Sequence, residues 1–411
     1  MQATMDKLEA MLKYVSEHND FYKKRIAEYG IRNPLDISQW PVLTRKELQE
    51  NRYNMFSDGY KTKYFNQQLR RQSSSGSTGV PINVYWDYKD WYASNMCLWR
   101  KRWQWYGIKP IDKYVMFTLN AFGTTSEEGE LFFINQPNNL LSFNVSLIQG
   151  ESGYEKMAKI INEFKPDWIY IQPFVLNQLI RAYRNMQINP PKSIRYIESI
   201  GEILTSDLKR RGEELFQVSI TNMYGSEEMN GIAIECPDHY MHVLENNVLI
   251  EIKSGVAISE CGNGEAILTN LNNFAMPLIR YEQGDNIVVD GKVESKHCNK
   301  ETVLEIISGR ERQEIPIYEN YSINSYLLSE VIANINNKFE DNILWYKFTY
   351  FTNEKILQCL VNISNNSWKE SIEKEIYTLL SAMLANHITI KIIFTKENYI
   401  STKKARILEI R

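Results

Sequence analysis

Apolar residues fall three and four apart at Leu8, Met11, Leu12 and Val15, and again at Phe21 and Ile26 beyond a polar break at His18-Asn19-Asp20. That period predicts helix from Leu8 to Tyr29, closed by Gly30. Thr44 with Glu47 three residues on is a capping box, so a helix should begin there after the extended run Trp40-Pro-Val-Leu. The period shortens to two in Ile82-Asn-Val-Tyr-Trp86, a strand. Asp87–Tyr106 returns to helix and carries Trp91, Tyr92, Trp99, Trp103 and Trp105, a stripe expected in a core. Strand-length apolar runs then alternate with helical stretches. Strands are expected at Tyr114–Leu119, Trp168–Pro173, Ile194–Ile200 and Val218–Met223, and helices at Tyr154–Phe164, Leu176–Met186 and Thr205–Phe216. Such alternation predicts a parallel sheet covered on both faces, with ligands gathering where its strands end.

Beyond Val243 the runs become short strands with turns, at Val248–Lys253, Glu265–Thr269, Asn286–Val289 and Val293, which predicts an antiparallel or barrel-like part. The last hundred residues read as helix Ile323–Phe339, strands Leu344–Thr352 and Ile356–Ile363, helix Ser367–Leu384 opening on a Ser-x-x-Glu capping box, and strand Ile388–Phe394. The expected class is α/β. A large N-terminal domain, residues 1–309, has mixed, mostly parallel sheets flanked by helices. A small α+β C-terminal domain, residues 310–411, follows a boundary near Gly309–Gln313.

Composition narrows the function classes. The 411 residues carry a net charge of −3, so no basic excess points to nucleic acid or an anionic membrane surface. No apolar run reaches the length of a membrane span, and the first residues predict no secretion signal. Five scattered Cys do not make a disulfide framework, and a reducing cytoplasm is the expected home.

The stretch Gln72-Ser-Ser-Ser-Gly-Ser-Thr-Gly-Val-Pro81 stands out, because seven of its ten residues are Ser, Thr or Gly. A turn of this kind beside a strand offers backbone N–H groups and small hydroxyls with little steric cover, which suits phosphate oxygens. A flexible linker is the competing reading. It is not a Walker A loop, since Val80 stands where Lys would follow the second Gly.

Several motifs in order resemble those of adenylate-forming ligases, in the phenylacetate–CoA ligase and capsule-biosynthesis branch. They are Ser74–Gly79, Gly201-Glu202, Tyr224-Gly-Ser-Glu-Glu228, Ala275-Met-Pro-Leu-Ile-Arg-Tyr281 with Gly284-Asp285, Gly309-Arg310, and Lys403 three residues before Arg406. His18–Tyr22 and Trp40–Leu48 are similar to the family's N-terminal segment. The resemblance implies adenylation of a small carboxylic acid by ATP and Mg²⁺, then acyl transfer to coenzyme A. Transfer to an amine, a sugar or a carrier protein is the alternative, and a nucleotide-binding module without activity is a third reading. It also implies a mobile C-terminal domain and leaves a homodimer open.

The roles it implies are as follows. Ser74, Ser75, Gly76, Ser77, Thr78 and Gly79 hold the β- and γ-phosphates. Glu228 binds Mg²⁺, Tyr224 stacks on adenine framed by Gly201 and Glu202, and Gly225 and Ser226 complete the adenine-site motif. Asp285 takes the ribose hydroxyls, and Arg310 meets ribose or phosphate. Lys403 supplies the cation at the reacting oxygens, with a plain tail Lys beside Lys404 as the competing reading. The acid pocket lies at Asn120, Ala121, Phe122 and Gly123, where the pattern leaves the phenylacetate type. Arg312 at the pivot, Val80 in the loop and Thr402 before Lys403 depart from the family pattern. Some relatives hold a structural Zn²⁺, and Cys236, His242, His297 and Cys298 are the corresponding set here, with an empty, reduced site as the competing reading.

Overall fold

The computed structural model describes residues 2–74, 82–118, 131–145, 150–201, 204–294, 296–297, 301–308, 314–318, 321–339, 342–384, 387–396 and 408–411. The chain divides into two compact units. The first takes residues 1–73, 82–109 and 222–310; the second takes residues 74–81, 110–221 and 311–411.

The first unit opens with two helices, Gln2–His18 and Asp20–Tyr29. The polar break between them has a mechanical cause. Asn19 leaves the helix, and its side chain accepts from the Tyr22 N–H at 3.2 Å while donating to Met55 O at 2.8 Å. Gly30 closes the second helix at φ 62°, in the left-handed region. The capping box forms: Glu47 N–H donates to Thr44 Oγ1 at 3.2 Å, and the Thr44 N–H donates back to Glu47 Oε2 at 2.9 Å. The sheet of this unit runs Ala257–Ser259, Val248–Ser254, Gly262–Asn270, Tyr281–Val293, Glu301–Ser308, Met241–Val243, Asn230–Glu235 and Ile220–Ser226. Each neighbouring pair within it is antiparallel. The division between units falls inside Ile220–Ser226.

The helix Tyr88–Tyr106 is capped by Asp87 and ends at Gly107, as expected. Its packing is not as expected. The face turned inward carries Asp90, Ser94, Leu98 and Arg102, while Tyr92 and Trp103 are exposed. The inward residues recur every four positions and form one row; of the aromatic stripe, Trp91 packs against the core, Trp99 and Trp105 are half-buried, and Tyr92 and Trp103 face outward.

In the second unit, Tyr196–Ile200, Trp168–Ile171, Tyr114–Thr118 and Leu140–Asn144 pair in parallel in that order, and Phe132–Asn135 adds an antiparallel edge. Helices Gly150–Phe164, Pro173–Asn185 and Ser206–Phe216 alternate with these strands. Two further parallel pairs, Ile343–Phe351 with Leu408–Ile410 and Ile356–Ile363 with Thr389–Phe394, lie in the C-terminal sheet, and the antiparallel share of the fold is larger than the strand–helix alternation suggested. Residues 311–411 form a hairpin, Glu314–Tyr318 with Tyr321–Asn324, and a four-stranded sheet ordered Thr389–Phe394, Ile356–Ile363, Ile343–Phe351, Leu408–Ile410. Helices Ser325–Lys338 and Lys369–Leu384 accompany it. The second of these is preceded by a short 3₁₀ turn capped by Asn365, whose Oδ1 accepts from Ser367 N–H at 3.0 Å; the Ser367 capping box does not begin the helix. No helix among the described residues is long and apolar enough to cross a membrane.

Candidate functional site

The motif Tyr224-Gly-Ser-Glu-Glu228 forms one arm and the tip of a tight hairpin. Tyr224 pairs with Ala233, Gly225 with Gly231 and Ser226 with Asn230, leaving Glu227, Glu228 and Met229 to make the turn. Glycine at 225 is a packing requirement, since a Cβ there would stand 2.6 Å from Asn230 O. The turn is braced from below by asparagines. Asn247 Nδ2 donates to Met229 O at 2.8 Å and Gly231 O at 2.7 Å, and Asn270 Nδ2 donates to Glu228 O at 3.4 Å. Such bonds hold an irregular turn rigid where ladder bonds end.

Tyr224 and Asp285, 61 positions apart, meet directly, with the Tyr224 hydroxyl donating to Asp285 Oδ2 at 2.8 Å. Ser226 Oγ donates to Gln283 Oε1 at 3.4 Å, a second link between the hairpin and the strand that carries Asp285. Glu228 is 2 % exposed, and among the described residues no short hydrogen bond or ion pair is made by its carboxylate. Its described partners are the Tyr281 hydroxyl at 3.3 Å and the Arg45 Nη1 at 3.7 Å, both on Oε1. A buried anion held this loosely suits a cation.

Neighbouring Glu227 accepts from Gln72 Nε2 at 2.9 Å, which ties the strand entering the hydroxyl-rich stretch to the acidic tip. The surrounding protein, and then the Glu228 carboxylate, push the Glu227 carboxyl up to about 7, and the Gln72 bond opposes them. Its side chain keeps an exposed face, so solvent limits the effect.

Arg280 does not reach this site. Its guanidinium is buried and bidentate on Glu251, Nε to Oε2 at 2.9 Å and Nη2 to Oε1 at 2.5 Å, while Nη1 donates to Ser38 O at 3.1 Å and Trp40 O at 2.8 Å. It thereby fixes the extended segment that continues through Leu43, whose N–H donates to Arg280 O at 2.9 Å, to the cap at Thr44 and on to Arg45.

No family model matches the chain. It is 25% identical over 293 residues to a phenylacetate–coenzyme A ligase of Thermus thermophilus, 68% of this chain and 63% of that protein. It is 22% identical over 380 residues to protein CapK of Staphylococcus aureus, 90% and 80% of the two chains. The chain is similar to these relatives, and through them to the adenylate-forming ligases of the phenylacetate–CoA ligase branch. A 2-hydroxyisobutyryl-CoA ligase, solved in complex with 2-HIB-AMP and CoA in the thioesterification state, has the same fold. It is 17% identical, covering all of this chain and 89% of that one, at a TM-score of 0.62. The match to the Thermus ligase spans less than two thirds of that relative's length.

Of the adenylate-forming motifs, the structure brings together Tyr224, Gly225, Ser226 and Asp285, and sets Glu228 at the tip of the same hairpin. Gly201 follows the strand Tyr196–Ile200 at φ 74°, a conformation that favours glycine. Ser74 ends the strand Arg70–Ser74. Ser75, Gly76, Ser77, Thr78, Gly79, Asn120, Ala121, Phe122, Gly123, Glu202, Cys298, Arg310, Arg312 and Lys403 lie outside the described residues. Sequence reasoning missed Arg45, Gln72, Asn247 and Asn270. The first follows a visible cap, but nothing local says that it faces an acid 183 positions away.

Of the candidate zinc residues, Cys236, His242 and His297 are described. His242 is wholly buried with Glu301 Oε2 3.5 Å from its Nδ1, and Lys101 Nζ holds that Oε2 at 2.6 Å. Burial keeps the His242 imidazole below its ordinary range despite Glu301. His297 is engaged elsewhere, its Nδ1 2.8 Å from Asp238 Oδ1. Among the described residues no three His, Cys, Asp or Glu side chains gather around a metal position.

Proposed function

We propose that this chain is an AMP-forming ligase that adenylates a small carboxylic acid with ATP and passes the acyl group to coenzyme A. The observation that carries the reading is the Tyr224–Asp285 hydrogen bond of 2.8 Å, with Glu228 buried on the same hairpin. A ring and an anion fixed to each other form a rigid receptor for a nucleoside, the ring for the base and the carboxylate for two adjacent hydroxyl donors. Glu228 would hold Mg²⁺, which when bound offsets phosphate charge; Arg45 Nη1 limits how far the carboxylate can turn away. Ser74–Gly79 would cradle the β- and γ-phosphates, and Gly201, Glu202 and Arg310 would complete the nucleotide contacts.

In the first step a carboxylate oxygen attacks the α-phosphorus. An O–P bond forms, the bond to the bridging oxygen breaks, and pyrophosphate leaves. Lys403 would stabilise the charge at the reacting oxygens, and its removal would cost on the order of 10²–10³ in rate. In the second step the thiolate attacks the acyl carbon and AMP leaves. Residues 310–411 would act as the moving domain about Arg312, and the acid pocket would form at Asn120–Gly123. We place the enzyme in the cytoplasm and assign it no zinc.

The test incubates the chain with ATP, Mg²⁺, coenzyme A and a panel of aliphatic, aromatic and hydroxy acids, read by mass spectrometry. A coenzyme A thioester with release of AMP is the expected product. Acyl-adenylate without thioester would move the acceptor to another nucleophile, and neither product across the panel would overturn the reading.

A further inference from the structure

The two faces of the strand Arg70–Ser74 carry different chemistry. Side chains alternate along a strand, so Gln72 turns to Glu227 while Arg71 turns the other way. There Arg71 Nε donates to Asn83 Oδ1 at 3.1 Å, on the neighbouring strand Ile82–Trp86. Tyr85, two positions beyond Asn83, shares that face. The helix Tyr60–Phe65 sets Tyr64 against Tyr85, with ring centroids 5.0 Å apart at 88°, and Tyr53 lies 5.7 Å from Tyr64 on the same measure. The Tyr64 hydroxyl is hydrogen-bonded to those of Tyr53 and Tyr85. Arg52 stands at the edge of this group, its Cζ 4.7 Å from the Tyr53 ring centroid.

Two arginines set into one cluster of tyrosines oppose each other. Burial lowers the Arg71 guanidinium below its ordinary range; Tyr85 and Tyr64 resist that, and the Arg52 charge adds to it. Both cations also act on the Tyr85 hydroxyl. Other arginines of the same unit hold acids, Arg25 on Glu47 and Arg280 on Glu251. Among the described residues no carboxylate stands within ion-pair distance of Arg52.

We propose that Arg52 and Arg71, with the Tyr53 and Tyr85 hydroxyls, bind a phosphate monoester at a site separate from that of ATP. A phosphate dianion between two guanidiniums removes their repulsion, and the planar forks match its oxygens. The ligand carries a ring as well as the phosphate. Tyr53, 48 % exposed, and Phe65, 75 % exposed, offer aromatic faces beside the cations, which suits a base on the same molecule. Separation from ATP follows from the strand: a triphosphate at the Glu227–Glu228 tip stands on the Gln72 side and leaves Arg71 unused. The 3′-phosphate of coenzyme A, beside its adenine, has the required chemistry, and that source rests on the function proposed above. Free phosphate is the other source of the same group.

Calorimetric titration of the full chain, in saturating Mg²⁺–ATP so that the first nucleotide site is filled, tests the proposal. Adenosine 3′,5′-bisphosphate should bind, and Arg52→Ala and Arg71→Met should each weaken it tenfold or more. Coenzyme A held tenfold more tightly than dephospho-coenzyme A, with the gap closed in Arg52→Ala, supports the site with coenzyme A as its source. Inorganic phosphate held as tightly as the bisphosphate, and lost in the same variants, supports it with free phosphate as the source. Neither bisphosphate nor phosphate bound at about 10 mM, or binding indifferent to Arg52→Ala, overturns it. The titration needs no acid substrate and no thioester, so its outcome is independent of the proposed activity. Arg52→Ala should keep acid-dependent pyrophosphate exchange within about twofold of the parent; a larger loss would merge this site with that of ATP and overturn the separation. Arg52 is half-buried and makes no ion pair, so its variant decides the question even where Arg71→Met alters the circular dichroism.

Discussion

Replacing Arg280 by Met separates what this motif residue does from what its neighbours do. The substitution keeps the length of the stem and removes four hydrogen bonds, two to Glu251 and one each to Ser38 O and Trp40 O. Glu251 is 8 % exposed, so the variant leaves its carboxylate buried without its partner. Removing one member of such a pair costs about 3–5 kcal/mol. Replacing Glu251 as well, by Leu, removes the stranded charge. The double variant should then lie within about 1–2 kcal/mol of the parent, the residue being the two carbonyls that lost a donor. Urea unfolding followed by tryptophan fluorescence reads both numbers, with the midpoint of the first unit as the observable. A loss under about 1 kcal/mol in Arg280→Met, or a double variant no better than the single, would refute the claim that this arginine is a structural clamp. Because the clamped segment leads to Arg45, the single variant should also weaken Mg²⁺–ATP binding, and the double variant should restore little of it.

The remaining predictions concern the hairpin. Tyr224→Phe removes the 2.8 Å bond to Asp285 and keeps the ring, so KM for ATP should rise about tenfold with kcat changed less; a rise in KM below twofold means the bond does not orient the nucleotide site. Glu227 is raised to about 7, so on the acid side it is neutral and on the basic side it repels the triphosphate. ATP affinity should fall modestly, less than tenfold, as pH rises from about 6 to 8, and Glu227→Gln should flatten that slope in a pH series of titrations; an unchanged slope contradicts the assignment.

The element order was legible because periods of 3.6 and 2 are written in the apolar positions themselves. Caps such as Thr44–Glu47 and Asp87 were readable because their partners lie within three residues. What escaped was non-local. The strands Asn230–Glu235 and Glu301–Ser308 lie in an antiparallel sheet set by pairing, not by local propensity. The aromatic stripe is expected in the core from its composition; Trp91 packs there, but the innermost row goes to residues such as Asp90 and Ser94, held by specific hydrogen bonds. The motif residues Tyr224, Asp285 and Glu228 come from a resemblance to a family, and the structure joins two of them by a hydrogen bond between Tyr224 and Asp285. Arg45 and Gln72 needed the fold, since each reaches an acid more than 150 positions away.

Activation of a carboxylate through ATP is the step proposed for this hairpin. Acid-dependent exchange of labelled pyrophosphate into ATP measures that step alone, with the parent chain and Asp285→Ala side by side. Exchange by the parent with at least one acid of the panel, and its loss by tenfold or more in the variant, is the predicted result. Exchange undiminished in Asp285→Ala, or none in the parent with any acid, would contradict it.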